Sequence, residues 1–187
     1  MKLIIRLGLV LSLAITSTNI FSQTALDEKY GFQDFKLGES YSKWSSNLTF
    51  FTTLESGINV YKYTGSCCKT LYGYQIEEIR LGFDREKDLT VIWFTTEKFQ
   101  KGYNVDKKYT EWNGTKDFDY IKNNMEQQFG KASGVNGDDN SGKLTIFWLG
   151  TKTMLNLEYD YLGTMNGDRC NVLIGKYEPS NGINDGF

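Results

Sequence analysis

The sequence predicts an α+β protein with a largely antiparallel sheet of about six strands and two helices packed on one side. The chain has 187 residues, of which 40% are hydrophobic and 24% charged, a composition typical of a folded globular protein. About six segments alternate like strands, and two have helical spacing. Each helix, one starting near Ser40 and the other near Asp117, precedes three strands, which predicts two α-β-β-β units.

The first 22 residues have the features of a secretory signal peptide. Lys2 and Arg6 give a basic start, residues 7–15 form an apolar run, and a more polar stretch ends at Ser22, where we expect cleavage. The apolar run is shorter than the roughly 20 residues of a membrane-spanning helix, although a retained anchor helix is the alternative. We therefore expect a mature chain without a membrane span, located in the periplasm or secreted.

A short helix is predicted near the start of this expected mature chain. Residues 24–30 form a polar lead-in, and residues 31–38 alternate like a strand that ends at a glycine. Ser40 is a favourable N-cap for the helix that follows. Three apolar residues at helical spacing share one side of that helix, namely Tyr41, Trp44 and Leu48.

Three strands are predicted after this helix, over residues 58–63, 71–83 and 89–96. The last two flank the charged residues 84–88 and are expected to form a hairpin. Within the second strand, the apolar residues change from even to odd positions. Because strand side chains alternate between faces, one apolar face is kept only if the strand bulges near Glu77 and Glu78.

The clearest helix signal lies in the second half of the chain. Asp117 or Thr115 can cap this helix, and Gly130 lies where a left-handed residue ends one. Its apolar residues fall at helical spacing, namely Phe118, Ile121, Met125 and Phe129.

A polar loop at residues 132–142 and a meander of three strands are predicted after this helix. The strands cover residues 144–149, 153–161 and 170–177. Trp148, and Trp93 in the first half, are expected in the core because both lie in apolar strands. We expect one domain over 23–178, with a pseudo-repeat relating 31–98 to 115–178, and a flexible tail at 179–187.

Three short motifs carry a resemblance to known proteins. Residues 21–23, Phe-Ser-Gln, are similar to the signal ends of exported proteins of Bacteroidota. The pattern F-x-L-G-x-S-x-x-x-W over residues 35–44 resembles the opening of β-lactamase-inhibitor-like proteins and small outer-membrane assembly lipoproteins. Residues 129–131, Phe-Gly-Lys, resemble a helix end in the same group. The resemblance implies an exported protein that binds other proteins with one sheet face, and it transfers no functional residues.

Three cysteines in an exported chain permit one disulfide. A bond between the neighbours Cys67 and Cys68 needs a strained eight-membered ring, so we expect Cys170 to pair with one of them. Closing a loop of about 100 residues stabilises by up to roughly 4 to 5 kcal/mol in the chain-entropy model. Three free thiols are the alternative. We expect no metal site, because zinc prefers four ligands and the sequence contains no histidine.

Composition excludes several functions. The absence of histidine removes Ser-His-Asp and Cys-His catalysis. Without the expected signal, 19 basic and 23 acidic residues give a net charge of −4. The densest basic stretch, residues 98–108, also contains an acidic residue, so we expect no nucleic-acid partner. We also expect no cofactor.

Aromatic residues in a polar loop are the leading candidates for a binding site. Tyr103, Tyr109 and Trp112 lie in the loop at residues 99–115, among lysines and glycines and without apolar periodicity. Tyrosine and tryptophan provide large contact areas with few torsions to freeze, which suits a protein or glycan partner. The alternative is that these rings fold back onto the sheet.

Two patterns of oxygen-bearing side chains permit other chemistry. The first is the alternation of Asn136, Asp138 and Asn140, which is typical of calcium ligands. An EF-hand, however, needs a glycine and a glutamate at the positions that Ser141 and Phe147 occupy here. A turn explains the pattern equally well.

Paired carboxylates are the second pattern. A glycosidase pair could be formed by Glu77 with Glu78, or by Glu158 with Asp160. Glu77 and Glu78 are neighbours in a strand, so their side chains point to opposite faces unless a bulge redirects one. We therefore expect an exported, non-catalytic binding or inhibitor-like module whose partner is a protein or glycan of the cell envelope. The alternative is a histidine-free hydrolase that uses carboxylates or tyrosine.

Overall fold

The computed structural model describes residues 24–99, 113–138, 143–161 and 168–177. The expected signal at 1–22 and the expected tail at 179–187 lie outside these described residues. The helices of the described chain are α1 over 24–29, α2 Tyr41–Trp44 and α3 Asn113–Phe129, with a 3-10 turn at Ser45–Asn47. Its strands are β1 Gly31–Phe32, β2 Phe35–Lys36, β3 Leu48–Thr53, β4 Asn59–Tyr63, β5 Thr70–Leu71, β6 Tyr74–Phe83, β7 Leu89–Thr96, β8 Gly134–Asp138, β9 Lys143–Leu149, β10 Thr153–Tyr161 and β11 Asp168–Lys176.

One antiparallel sheet organises the described chain. Its strand order is β3-β4-β6-β7-β11-β10-β9-β8, with β5 paired beside β6. β7 and β11 pair at the centre of this sheet, and β3 and β8 form its two edges. The predicted α+β class and antiparallel sheet are confirmed. The predicted numbers of strands and helices were wrong, because the described residues hold nine strands in this sheet and three helices.

The two edge strands account for much of the undercount. β3 is mostly exposed, with the Phe50 and Phe51 side chains 59% and 50% exposed. β8 occupies part of the predicted polar loop and is rich in glycine and polar residues. An edge strand can form its backbone hydrogen bonds without burying an apolar face, so neither segment shows the alternation that marks a half-buried strand.

The N-terminal part of the described chain also differs from the prediction. The expected lead-in is the helix α1, whose Leu26 is fully buried. The expected single strand at 31–38 is instead a two-stranded hairpin of β1 and β2. The predicted N-cap is confirmed, because the Ser40 side chain accepts a hydrogen bond from the Ser42 N–H. Helix α2 ends at Trp44, so Leu48 begins a strand rather than completing a helical face.

The predicted hairpin and meander are confirmed. β6 pairs with β7 across residues 84–88, and β9, β10 and β11 pair consecutively. β7 and β10 have the predicted bounds. The register between β6 and β7 shifts between Ile76 and Glu78, which confirms the predicted bulge.

Helix α3 follows the predicted spacing but begins at Asn113, before both predicted caps. Its end is as predicted, because Gly130 has φ +81° and donates its N–H to the Glu126 carbonyl at 2.9 Å. No helix in the described ranges is long and apolar enough to cross a membrane.

The main core lies between the helices and one face of the sheet, called here the inner face. Residues of α1, α2 and α3 contribute to this single cluster, and burying each large apolar side chain stabilises the fold by roughly 1.5 to 3 kcal/mol. Trp148 lies in the core as predicted. The prediction for Trp93 was wrong, because its side chain is only half-buried and lies on the opposite face, which carries a smaller cluster.

Candidate binding face

The sheet face opposite the helices, called here the open face, is the candidate functional site. A hollow of about 970 Å³ lies on it, lined by side chains from β6 to β11. Because strand side chains alternate, these residues are the outward set of the strands whose inward set builds the core. β10 shows this division, with Leu155 and Leu157 buried while Asn156 and Glu158 line the hollow.

A row of polar side chains crosses the open face from strand to strand. The Thr95 hydroxyl donates to Asn171 Oδ1 at 3.0 Å, and Asn171 Nδ2 donates to Glu158 Oε1 at 3.1 Å. These bonds hold the side chains of three strands in one arrangement. The full row, in register across six strands, is Glu78, Thr95, Asn171, Glu158, Thr145 and Asn136.

A second row, next to the polar one, combines the apolar side chains of Trp93, Leu173 and Phe147 with Arg80 and Asn156. Its members, in register, are Arg80, Trp93, Leu173, Asn156, Phe147 and Gly134. A Cβ atom at Gly134 would collide with the Phe147 ring, so a glycine at this position leaves the space that the ring occupies on the open face. Trp93 and Phe147 are both half-buried. Beyond this row, Val91 and Met154 pack with Leu173 into the smaller apolar cluster.

The bulge in β6 places both Glu77 and Glu78 at the hollow. Glu78 pairs with Lys62 at 3.1 Å and with Arg80. Burial alone would raise the pKa of Glu78, but the hydrogen bonds and charges of these two cations outweigh it and the pKa is lowered. Glu78 is therefore held as an anion, whereas a glycosidase general acid needs a raised pKa.

Three other carboxylates of the open face also have partners. Asp160 Oδ2 lies 3.2 Å from Arg169 Nε, and the Glu77 carboxylate lies 3.8 Å from the same guanidinium. Glu158 is bonded to Asn171, as described above. Each member of the two predicted carboxylate pairs thus has a cation or an amide as its partner.

A polar cluster lies on the helix-covered side of the sheet. The Tyr74 hydroxyl donates to Asp117 Oδ1 at 2.7 Å, near the buried Cys170. Burial, followed by the Asp117 hydrogen bond, raises the pKa of Tyr74. Burial likewise raises the pKa of Tyr72. A phenol with a raised pKa stays protonated at neutral pH, which disfavours a tyrosinate nucleophile at these positions.

The expected disulfide is absent, and all three cysteines, which lie within the described ranges, are free. Cys170 lies on the inner face of β11 and is fully buried in the core. Cys67 and Cys68 lie in the loop between β4 and β5, with their sulfurs 3.0 Å apart. Burial raises the pKa of Cys68 to about 12. The pairing failed as a prediction because spacing along the chain does not show that one cysteine is enclosed by the core.

Two other predicted sites fall largely outside the described residues. Tyr103, Tyr109 and Trp112 all lie there. Of the proposed calcium loop, the structure describes residues 136–138, which belong to β8 rather than to a turn. The Asn136 side chain lines the open face.

Comparison of the chain with protein-family models, curated proteins and solved structures finds no match. Its function is therefore inferred from the geometry of the sheet faces. The signals that could have indicated the open face are the polar alternation of β10 and the parity change in β6. What the pattern lacked was the strand order, which brings six separate segments onto one surface.

Proposed function

We propose that the protein is an exported, non-catalytic binding module whose open face holds a protein or glycan of the cell envelope. One observation supports this most directly: the helices pack on one side of the sheet, while the other side presents Trp93, Phe147 and Leu149 only half-buried around a hollow. Apolar groups rimmed by polar ones are typical of interaction sites. The proposal that the protein is exported is based on the signal-peptide features of residues 1–22.

The composition of the open face suits a macromolecular partner. Tryptophan and arginine are enriched where interfaces carry most of their binding energy, and here Trp93 lies next to Arg80 in register. The hydrogen-bonded row of Thr95, Asn171 and Glu158 is already ordered, so little side-chain freedom would be lost on binding. The aromatic rings can pack against apolar side chains of a protein or stack on sugar rings.

The carboxylates support this proposal over the hydrolase alternative. Glu78 is ion-paired with two cations, and Asp160 is bonded to Arg169. Glycoside hydrolysis needs one carboxyl group held as an acid. The open face instead offers fixed anions and cations, which favour recognition of a partner with complementary charges.

The test is a pair of double variants with the same change in charge on opposite sides of the molecule. Thr145→Arg with Asn156→Arg fills the hollow, and Asn123→Arg with Gln127→Arg changes the surface of α3. Chemical cross-linking to native envelope fractions, followed by mass spectrometry, identifies protein partners. Binding to purified envelope polysaccharides tests the glycan case. We expect the first variant to lose the partner and the second to retain it.

Equal retention by both folded variants would contradict the proposal. Hydrolysis of an envelope polymer by the wild type, abolished by Glu158→Gln, would favour the hydrolase alternative. Circular dichroism of each variant verifies that the fold is intact.

A further inference from the structure

A second site is formed where two loops meet, on residues that the open face does not use. Residues 64–69 connect β4 to β5 and carry Cys67 and Cys68. The turn between β1 and β2 carries Asp34. One ligand atom from each of these three residues lies within 4.8 Å of the other two.

The backbone directs both cysteines to the same place. Adjacent side chains of an extended chain point to opposite sides, so two neighbouring thiols would normally diverge. Cys68 has φ +60°, a left-handed conformation that residues other than glycine rarely adopt. With this conformation the two sulfurs lie 3.0 Å apart. Uncommon backbone geometry of this kind concentrates at functional sites.

Neighbouring groups orient the two sulfurs. The hydroxyl of the buried Tyr63 lies 3.0 Å from Cys67 Sγ, at hydrogen-bond distance. The backbone of Asp34 also lies close to Cys68 Sγ. A Cβ atom at Gly65 would collide with the Tyr63 hydroxyl, so a glycine is needed there to keep this contact. Such outer contacts are what metal sites use to orient thiolate ligands.

We propose that Cys67, Cys68 and Asp34 bind a thiophilic divalent cation, with Zn²⁺ as the ion that fits best. Zinc accepts thiolate sulfur and carboxylate oxygen, and three protein ligands leave a fourth position for water. The sequence predicted no metal site because it contains no histidine. In the structure, the Asp34 carboxylate provides the third ligand instead. Binding displaces the two thiol protons to solvent and changes no oxidation state.

Solvent access favours reversible binding. Asp34 is exposed, and both cysteines are partly buried, so an ion can enter from the Asp34 side. In contrast, Cys170 is fully buried in the core. It therefore provides an internal control for the reactivity of thiols in this chain.

The test titrates fully reduced protein, without oxygen and with a phosphine reductant, first with Co²⁺ and then with Zn²⁺. We expect a thiolate-to-cobalt charge-transfer absorption that saturates at one ion per chain and disappears as Zn²⁺ replaces Co²⁺. Cys67→Ser, Cys68→Ser and Asp34→Asn should each weaken Zn²⁺ binding at least about 10-fold, and Tyr63→Phe about 10- to 100-fold. Cys170→Ala should leave the affinity unchanged.

Absence of the charge-transfer absorption in reduced wild-type protein would overturn the proposal. Unchanged binding in the Cys67→Ser and Cys68→Ser variants would do the same. Since Asp34 is exposed, Asp34→Asn keeps the test valid should a cysteine variant fail to fold. A bond between Cys67 and Cys68 that persists in the reductant would identify a disulfide instead of a metal site and would also refute the proposal.

Discussion

At the scale of single residues, Asp27 connects α1 to the turn between β9 and β10. Its carboxylate accepts hydrogen bonds from the Thr151 N–H at 2.7 Å, the Thr151 hydroxyl at 2.6 Å and the Lys152 N–H at 3.1 Å. A Cβ atom at Gly150 would collide with this carboxylate, so the glycine allows the close approach. One side chain thus links the start of the described chain to residues more than 120 positions later.

Replacing Asp27 should have a pH-dependent effect on stability. Burial alone would raise the pKa of Asp27, but the hydrogen bonds from Thr151 and Lys152 outweigh it and the pKa is lowered from 3.8. A lowered pKa contributes stability that is fully present above the unfolded value and is lost as pH falls through the folded value. We expect Asp27→Asn to cost about 1 to 3 kcal/mol at pH 7 and less near pH 3.

Urea unfolding of both proteins at the two pH values measures this difference. The same loss of stability at pH 7 and at pH 3 would contradict the ionic role of Asp27.

Two glycines beside Val91 differ in the space around them. Gly82 and Gly175 both pair with Val91, one from each side. A Cβ atom at Gly82 would lie 2.9 Å from Ile58 Cγ2 and closer still to Val91 Cγ1, whereas at Gly175 the nearest atom is 3.7 Å away. β-Branched side chains are stiff, so Gly82→Ala should destabilise the fold by about 1 to 3 kcal/mol. Gly175→Ala should change stability by less than about 0.5 kcal/mol. Thermal melts of the two variants are compared, and equal losses would refute the steric argument.

At the scale of elements, the end of α3 depends on Gly130. Its φ of +81° turns the chain toward β8, and its carbonyl accepts a hydrogen bond from Trp148 Nε1 at 2.8 Å. The helix end is thus attached directly to a core residue of the sheet.

We expect Gly130→Ala to destabilise the protein by about 1 to 2 kcal/mol, because a Cβ atom disfavours the left-handed conformation. Gly130→Asn should reduce the stability by a smaller amount, since asparagine tolerates this conformation. Chemical denaturation of the two variants measures both losses. An alanine variant as stable as the wild type would show that the helix end can relax.

For the molecule as a whole, the two sheet faces contribute unequally to stability. Within the described ranges, the inner face packs against α1, α2 and α3 in one core, and the open face carries the smaller cluster around Val91, Met154 and Leu173. β7 and β11 pair at the centre of the sheet, so the core on the inner face continues from the first half of the chain to the second.

Two leucines on adjacent strands should report this difference. Leu155 of β10 is fully buried on the inner face, whereas Leu149 of β9 is partly buried on the open face. Leu155→Ala should cost about 2 to 5 kcal/mol because it leaves a cavity in packed surroundings. Leu149→Ala should cost about 1 kcal/mol, since less apolar area is returned to water. Equal losses in urea unfolding would contradict the division into two faces.

Those parts of the fold that depend on local burial were predictable from the amino-acid pattern. The alternation in β10 indicated two faces, the spacing of Phe118, Ile121 and Met125 indicated α3, and the parity change in β6 indicated a bulge. These features were predictable because each half-buried element carries its own apolar period along the chain.

Which segments meet could not be predicted from the pattern and became visible with the strand order. The edge strands β3 and β8 have little apolar pattern, because an edge needs backbone pairing more than burial. The open face depends on the order of six strands, and no single strand contains it. The approach of Asp34 to Cys67 and Cys68 depends on two loops more than thirty residues apart being held against the same core. Local periodicity reports whether a residue is buried, but the identity of its neighbours follows from pairings between distant strands.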